Sequence, residues 1–104
     1  MKNEALNESL ISALRDSLTK IVGEANTKTV LYFITNEFHI DLKELSDRVA
    51  DLHKAFVRIF GARAAVLLEN AVAKEFCNKL SRPYDPKETL YETVERTRRR
   101  RTRK

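Results

Sequence analysis

The chain has 104 residues, 42% of them hydrophobic, and contains only two glycines, two prolines and one cysteine. This composition predicts one folded domain, excludes an internal disulfide, and argues against a sandwich or barrel, which needs many tight turns. The chain has 20 basic and 15 acidic residues, a net charge of +5. Seven of the basic residues and none of the acidic ones lie in residues 96–104, so the preceding residues have a net charge of −2.

The N-terminal residues predict no secretory leader, because Glu4 and Glu8 interrupt any apolar stretch. No apolar run approaches the roughly 20 residues that a membrane span requires, so we expect no membrane association. A lone cysteine fits a reducing compartment, and we therefore expect a cytoplasmic protein.

The first segment is predicted to be helical, because Ile11, Leu14, Leu18 and Ile21 recur at intervals of three and four residues. Asn3 or Asn7 is expected to cap its start, and Gly23 is expected to end it. This apolar stripe, or alternatively the apolar second segment, could form the seam of a homodimer.

The second segment starts near Asn26 or Thr27 and is apolar nearly all round, which predicts a helix at the centre of the domain. A strand is the alternative, because TVLYFIT is rich in β-branched and aromatic residues. We favour a helix, since the neighbouring segments are helical and Gly and Pro are absent. The apolar residues are Val30, Leu31, Tyr32, Phe33, Ile34 and Phe38.

Two further helices are predicted on either side of Gly61. Asp41 and Glu44 fit a capping box before the third helix, with Ser46 as another possible cap. The fourth helix is expected over residues 62–80. The predicted inward residues are Val49, Leu52, Phe56, Ile59 and Phe60 in the third helix, and Ala65, Leu68, Val72, Phe76 and Leu80 in the fourth.

A fifth helix is predicted to start at Asp85-Pro86-Lys87-Glu88, with Leu90, Tyr91 and Val94 as its apolar face. Glu92 with Arg96, and Glu95 with Arg99, are i,i+4 pairs that should carry this helix to about Arg98, with fraying beyond. We therefore predict an all-α protein: a compact bundle of four main helices, plus a fifth C-terminal helix with a basic arm. Residues 1–84 form the body, and residues 85–104 form the last helix and the arginine-rich arm.

Three stretches occur in a characteristic order: VLYFITNEFHI (30–40), AFVRIFG (55–61) and AVLLENAVAKEFCNKL (65–80). In this order the chain resembles the Nitrosopumilus output-domain family, a group of short, mostly archaeal domains, over about residues 27–80. It departs from that family at Arg63, where a second small residue is expected. The resemblance implies a helical domain that acts as an output in signalling or gene regulation. It implies no catalytic residue and no cofactor.

The candidates for a metal site or nucleophile are His39, His53 and Cys77, but their separations of 14 and 24 residues match no zinc spacing. Cys77 is expected to be a small buried hydrophobe. We predict a non-enzymatic protein without metal or cofactor. An acidic stretch is expected to be solvated, with docking of the C-terminal arm as the alternative; it comprises Glu37, Asp41, Glu44, Asp47 and Asp51.

The C-terminal arm is the candidate functional site, because a dense arginine run can hold phosphates through planar bidentate contacts. The proposed nucleic-acid-binding residues are Arg96, Arg98, Arg99, Arg100, Arg101, Arg103 and Lys104. The expected partner is DNA or RNA, bound without sequence specificity by a homodimer. The alternatives are a solvated tail and an arm that docks an acidic protein partner.

The sequence contains two other candidate binding sites. Base reading by the fourth helix, as in a helix-turn-helix, is disfavoured by its two acids. A small-molecule pocket among Tyr32, Phe33, Phe56 and Phe60 is the third alternative, although such aromatics are more often plain core.

Overall fold

The computed structural model describes the backbone of residues 4–102 and the side chains of residues 4–99. Those residues form helices and connecting turns with no strand, so the all-α prediction and the helical interpretation of TVLYFIT are confirmed. The elements are α1 (Glu4–Val22), α2 (Glu24–Tyr32) with a π-helical turn (Phe33–Glu37), a 3₁₀ segment (Leu42–Asp47), α3 (Val49–Phe60), α4 (Ala62–Lys79) and α5 (Leu90–Thr102). Within residues 4–102, no helix combines the length and the apolar character needed to cross a lipid bilayer.

The core is built around α4, which packs against α1, α3 and α5. Its predicted stripe is confirmed, except that Leu80 is only half-buried. From α1, the leucines at positions 6, 10, 14 and 18 are fully buried together with Ala13. Each buried leucine contributes about 2 kcal/mol relative to an exposed one. The predicted stripe on α1 was wrong at Ile21, whose surface is 55% exposed.

The second helix lies at the edge of the bundle, not at its centre. Val30 and Ile34 are buried, whereas Tyr32 and Phe33 are 57% and 40% exposed. The helix begins at Glu24 and packs mainly on α1, so only a narrow stripe of it meets the core. The predicted central position was wrong because a run of apolar residues does not by itself specify how many neighbours a helix has.

Glycines separate two pairs of helices, as predicted. Gly23 and Gly61 have φ of 90° and 92°, a region that residues with a Cβ rarely adopt. A Cβ at either position would meet no atom within 4 Å, so these sites require glycine for backbone conformation and not for space.

The connection before α3 is a 3₁₀ segment capped by Asp41, whose Oδ1 accepts from the Lys43 N–H at 2.9 Å. The helix α3 itself begins after Arg48 with no side-chain cap. Asp41 is therefore a cap, as predicted, but of the 3₁₀ segment and not of α3, and Ser46 caps neither.

The fifth helix begins at Leu90, four residues after the predicted first helical residue, Pro86. Thr89 and Glu92 form its capping box: Thr89 Oγ1 accepts from the Glu92 N–H at 3.1 Å, and Glu92 Oε1 accepts from the Thr89 N–H at 2.9 Å. Asp85 instead holds a turn, in which its Oδ1 accepts from the Lys87 N–H at 2.9 Å.

The inner face of α5 is half polar. Leu90, Thr93, Val94 and Thr97 are buried, whereas Tyr91 is 52% exposed, so the predicted apolar face was wrong at Tyr91. The Thr97 hydroxyl donates to the Thr93 carbonyl at 2.9 Å, which satisfies a group that would otherwise be costly to bury. The helix continues to Thr102, beyond the predicted fraying point at Arg98.

Candidate nucleic-acid interface

Arg96, the first basic residue of the arm, is anchored to the Glu88 carboxylate. Its Nε lies 2.9 and 3.1 Å from the two carboxylate oxygens, and its Nη2 lies 3.0 Å from Oε1. These charge-assisted bonds hold the pKa of Glu88 below its usual value and raise the pKa of Arg96. The predicted partner was Glu92, but that carboxylate serves the helix cap.

The thiol of Cys77 lies near the same ion pair. Burial raises the pKa of Cys77, while the neighbouring Arg96 guanidinium opposes that rise. With 1% of its surface exposed, Cys77 is buried, as the sequence predicted.

Arg98 reaches from α5 to the 3₁₀ segment. Its Nη2 donates to the Ser46 carbonyl at 2.6 Å, and its Nη1 lies 2.9 Å from Asp47 Oδ1 and 3.7 Å from Glu95 Oε2. Docking of the arm onto the acidic stretch, the alternative raised from the sequence, is therefore present in the structure at this arginine.

The segment that receives Arg98 is itself fixed by α1. Asn7 accepts from the Ser46 N–H at 2.8 Å and donates to the Leu42 carbonyl at 2.7 Å. Asn7 thus lies inside α1 as a bridge to the 3₁₀ segment, so its predicted role as a helix cap was wrong; Asn3 lies outside the described residues. One chain of contacts connects α1, the 3₁₀ segment and α5.

The remainder of the arm begins at Arg99, whose side chain is exposed. Arg100 and Arg101 lie on the helical backbone of α5, with side chains outside the described part of the chain. Arg103 and Lys104 lie outside the described residues altogether. Arg96 and Arg98 thus have defined anchoring contacts. We refer to the basic residues that follow them, Arg99, Arg100, Arg101, Arg103 and Lys104, as the distal group.

The other members of the acidic stretch do not form a catalytic pair. Asp41 caps the 3₁₀ segment, and Asp51 Oδ2 accepts from Arg48 Nε at 2.6 Å. These two carboxylates thus have separate local contacts, whereas Glu37 and Glu44 are exposed. Among residues 4–99, no three histidine, cysteine or acidic side chains converge on a point that could hold a metal ion.

A second polar feature links α3 and α4. His53 Nδ1 lies 2.6 Å from Glu69 Oε2, with the His53 side chain 50% exposed and the Glu69 side chain only 11% exposed. Because a carboxylate can only accept, the shared proton lies on Nδ1. The pair borders a groove of about 380 Å³ between α3, α4 and the first turn of α5.

The sequence reasoning missed this pair, because it considered His53 only as a metal ligand. One feature of the sequence could have indicated the pair: His53 and Glu69 each lie eight residues from Gly61, on opposite sides of it. Eight residues are about 12 Å of helix. Side chains that far from the turn meet only if the two helices run back alongside each other. This arrangement differs from the near-perpendicular helices of a helix-turn-helix.

Two polar residues of α4 are engaged in ion pairs with α1. Glu75 accepts from Lys20 Nζ at 2.9 Å, and Lys79 Nζ lies 2.8 Å from Asp16 Oδ2. These two pairs connect α4 to α1, so part of the polar face of α4 serves the bundle.

The four aromatics considered as a pocket do not line one cavity. Phe56 is fully buried and packs edge-on against Phe60 at 6.0 Å between ring centres. Tyr32 and Phe33 form a separate exposed pair at 6.1 Å. The pocket interpretation was therefore wrong for these residues.

A contiguous apolar surface remains uncovered at the end of α1 and the start of α4. Ile21, Val66 and Leu67 are 55%, 51% and 70% exposed. Leu67 lines two adjoining depressions, one shared with Ile21 and Phe60 and the other with Val66. We refer to Ile21, Phe60, Val66 and Leu67 as the apolar patch.

Comparison with protein-family models, with curated proteins and with solved structures found no match to this chain. The resemblance to the Nitrosopumilus output-domain family stays a prediction from the sequence.

Proposed function

We propose that this protein is a small non-enzymatic, nucleic-acid-associated regulatory protein whose C-terminal arm binds phosphates without sequence specificity. The observation that carries the proposal is the separation of charge: seven basic residues and no acid in residues 96–104, against a net charge of −2 on the remainder. A body that repels phosphate directs nucleic acid to the arm. The single cysteine and the family resemblance support a cytoplasmic, archaeal output protein.

We propose different roles for the first two arginines of the arm and for the distal group. A phosphate competes for Arg96 or Arg98 only by displacing the Glu88 or Asp47 carboxylate. We therefore assign those two an anchoring role. We assign the phosphate contacts to the distal group, because five basic residues and no acid lie within residues 99–104. Five phosphate contacts correspond to a log–log salt slope of about −4.5 on duplex DNA.

The test compares two variants with the same loss of five positive charges. In the first, the distal group is changed to glutamine. In the second, five exposed basic residues of the body are changed instead: Lys28, Lys43, Arg58, Arg63 and Lys74. Substitution is preferable to truncation after Glu95, because truncation would also remove buried Thr97 and the Arg98 contact with Ser46.

Binding of labelled duplex DNA across a salt series measures the result. We expect the distal variant to lose the salt-dependent binding, and the body variant to retain most of the slope. Equal losses would show that net charge alone drives association. A wild-type chain that does not bind DNA or RNA at low salt would overturn the proposal.

We further propose that the protein acts as a homodimer through the apolar patch. Three large apolar side chains of the patch are more than half exposed, and contact with a second copy would remove them from water. The leucines of the seam predicted along α1 are fully buried inside the chain, so they cannot contact a second copy. Ile21, at the end of α1, is exposed and can do so. Two arms on one dimer raise affinity through effective concentration.

The second candidate function is an adaptor whose arm docks an acidic protein. The specific observation in its favour is that Arg98 already binds a carboxylate and a carbonyl of the 3₁₀ segment. A glutamate-rich peptide that binds the wild-type arm more tightly than DNA does, at matched salt, would favour this function.

A further inference from the structure

We propose that the groove beside the His53–Glu69 pair is a binding site for a neutral, mainly apolar small molecule that carries one hydroxyl group, with an alkylphenol as the model ligand. This inference is independent of the proposed function of the arm. It rests on the shape of the groove, its lining, and the polar pair at its edge.

The groove has the size and position of a ligand site. Its volume is about 380 Å³, within the range of about 300–1,000 Å³ that small-molecule pockets occupy. It lies where three helices meet, a common location for ligand sites in bundles. Its lining residues are Val49, Ala50, His53 and Lys54 from α3, Val66, Glu69 and Asn70 from α4, and Thr89, Leu90 and Tyr91 at the start of α5.

The walls leave apolar surface for a ligand to cover. Val66 and Tyr91 are 51% and 52% exposed, and buried Val49 and Leu90 line the same groove. Covering such surface contributes about 25 cal/mol per Å² of apolar area. An aliphatic or aromatic body of the ligand is therefore the part that these walls favour.

The charges at the groove favour a neutral ligand. Glu69 is 8% exposed and would repel a carboxylate, while Lys54 on the same groove would repel an ammonium group. A charged ligand of either sign would thus meet one like charge at the groove.

The imidazole of His53 favours a ligand that carries a hydroxyl group. Because Nδ1 donates to Glu69, His53 offers Nε2 as its second polar contact. The neutral ring accepts a hydrogen bond at Nε2, and the charged ring donates one there. A hydroxyl both donates and accepts, so it pairs with either form, whereas a pure hydrocarbon pairs with neither. A ligand in this position would bridge α3 and α4 to the helix that carries the arm.

The test is a titration of the full-length protein with 4-propylphenol and with propylbenzene, followed by amide chemical shifts in two-dimensional NMR. We expect saturable binding of the phenol, with shifts centred on residues 49–54, 66–70 and 89–91. We expect propylbenzene to bind about two- to tenfold more weakly, the net effect of one lost hydrogen bond to a half-exposed imidazole.

Two variants locate the contact. His53→Asn keeps a side-chain donor for Glu69 but removes Nε2, so it should reduce the affinity for the phenol to that for propylbenzene. Ala50→Trp, at an exposed position on the groove, should abolish binding of both compounds. Ala64→Trp, at an exposed position on the apolar patch, is the matched control and should bind like the wild type.

Each other result overturns the inference. No saturable binding of the phenol at its solubility limit excludes this ligand class. Equal affinity for the two compounds excludes recognition by His53. Shifts centred elsewhere, or a weakening by Ala64→Trp as large as that by Ala50→Trp, exclude the groove. The comparison of the two compounds on the wild type remains decisive if a variant fails to fold.

Discussion

Arg96 and Glu88 form a three-contact ion pair across the turn that precedes α5, with Nε 2.9 Å from Oε2. The same carboxylate accepts from the buried Thr93 hydroxyl at 3.1 Å. One acidic residue thus fixes the position of α5 and satisfies a hydroxyl on its inner face. The first arginine of a run that looks like a uniform basic tail is therefore part of the folded domain.

Replacement of Glu88 by Gln should destabilise the protein at pH 7 by about 1–3 kcal/mol, because hydrogen bonds to a charged group are lost. The pKa of Glu88 is lowered in the folded state. Its contribution is therefore present above the unfolded pKa, and it is lost as pH falls through the lower folded pKa. Urea unfolding of the wild type and variant should show a difference at pH 7 that shrinks on acidification below about pH 4.5.

The control for this series is Glu37→Gln, which removes the same charge from an exposed carboxylate. It should change the free energy of unfolding by less than about 0.5 kcal/mol at either pH. A Glu88→Gln penalty that stayed constant down to pH 3 would contradict the ion-pair explanation.

Thr89→Ala should cost about 1 kcal/mol of unfolding free energy, the usual effect of removing a side-chain cap. Thr89→Ser should restore most of it, because the hydroxyl contact with the Glu92 N–H returns. Asp85→Ala should cost less, since Asp85 caps a turn and not the helix. Thermal unfolding of the three variants tests this order, and a larger effect at Asp85 would place the cap where the sequence first suggested.

The helices and their glycine ends could be predicted from the sequence because both are local properties. Apolar residues at intervals of three and four define the buried face of α4, and a positive φ requires glycine at positions 23 and 61. The start of α5 was misjudged although it is also local. Two capping patterns, at Asp85 and at Thr89, compete four residues apart, and local sequence alone does not decide between them.

The contacts that define the candidate sites could not be predicted, because they join residues distant in sequence. Arg98 meets Ser46 across 52 positions, and Asn7 meets Ser46 across 39. Whether an arginine of the arm faces solvent or the body depends on the rotation of α5, which buried Thr93 and Thr97 help to set. Because the inner face of α5 is partly polar, the spacing of apolar residues does not identify it. The sequence pattern therefore does not predict that Arg96 and Arg98 turn inward.

Asp47→Asn should increase the affinity for duplex DNA by about two- to fivefold at low salt, if the arm binds phosphates as proposed. The substitution removes a partly exposed ion pair with Arg98, worth about 0.5–1 kcal/mol, and so makes that arginine easier to recruit. Glu44→Gln is the matched control, because it changes the same charge at an exposed position of the same segment. Fluorescence anisotropy should separate the two variants, and equal gains would mean that only net charge matters.

Leu67→Glu should disrupt the proposed dimer. Leu67 is the most exposed of the large apolar side chains in the described part of the chain, and it connects both depressions of the apolar patch. A carboxylate buried at the centre of an interface without a partner should raise the dimer dissociation constant by about tenfold or more. Asn78→Glu adds the same charge to α4 at an exposed position outside the patch and should leave the dimer intact. Sedimentation equilibrium over the micromolar range measures both variants. A wild type that is monomeric throughout that range, or equal weakening by the two variants, would show that the patch does not join two copies, and the arm would then act from a single chain.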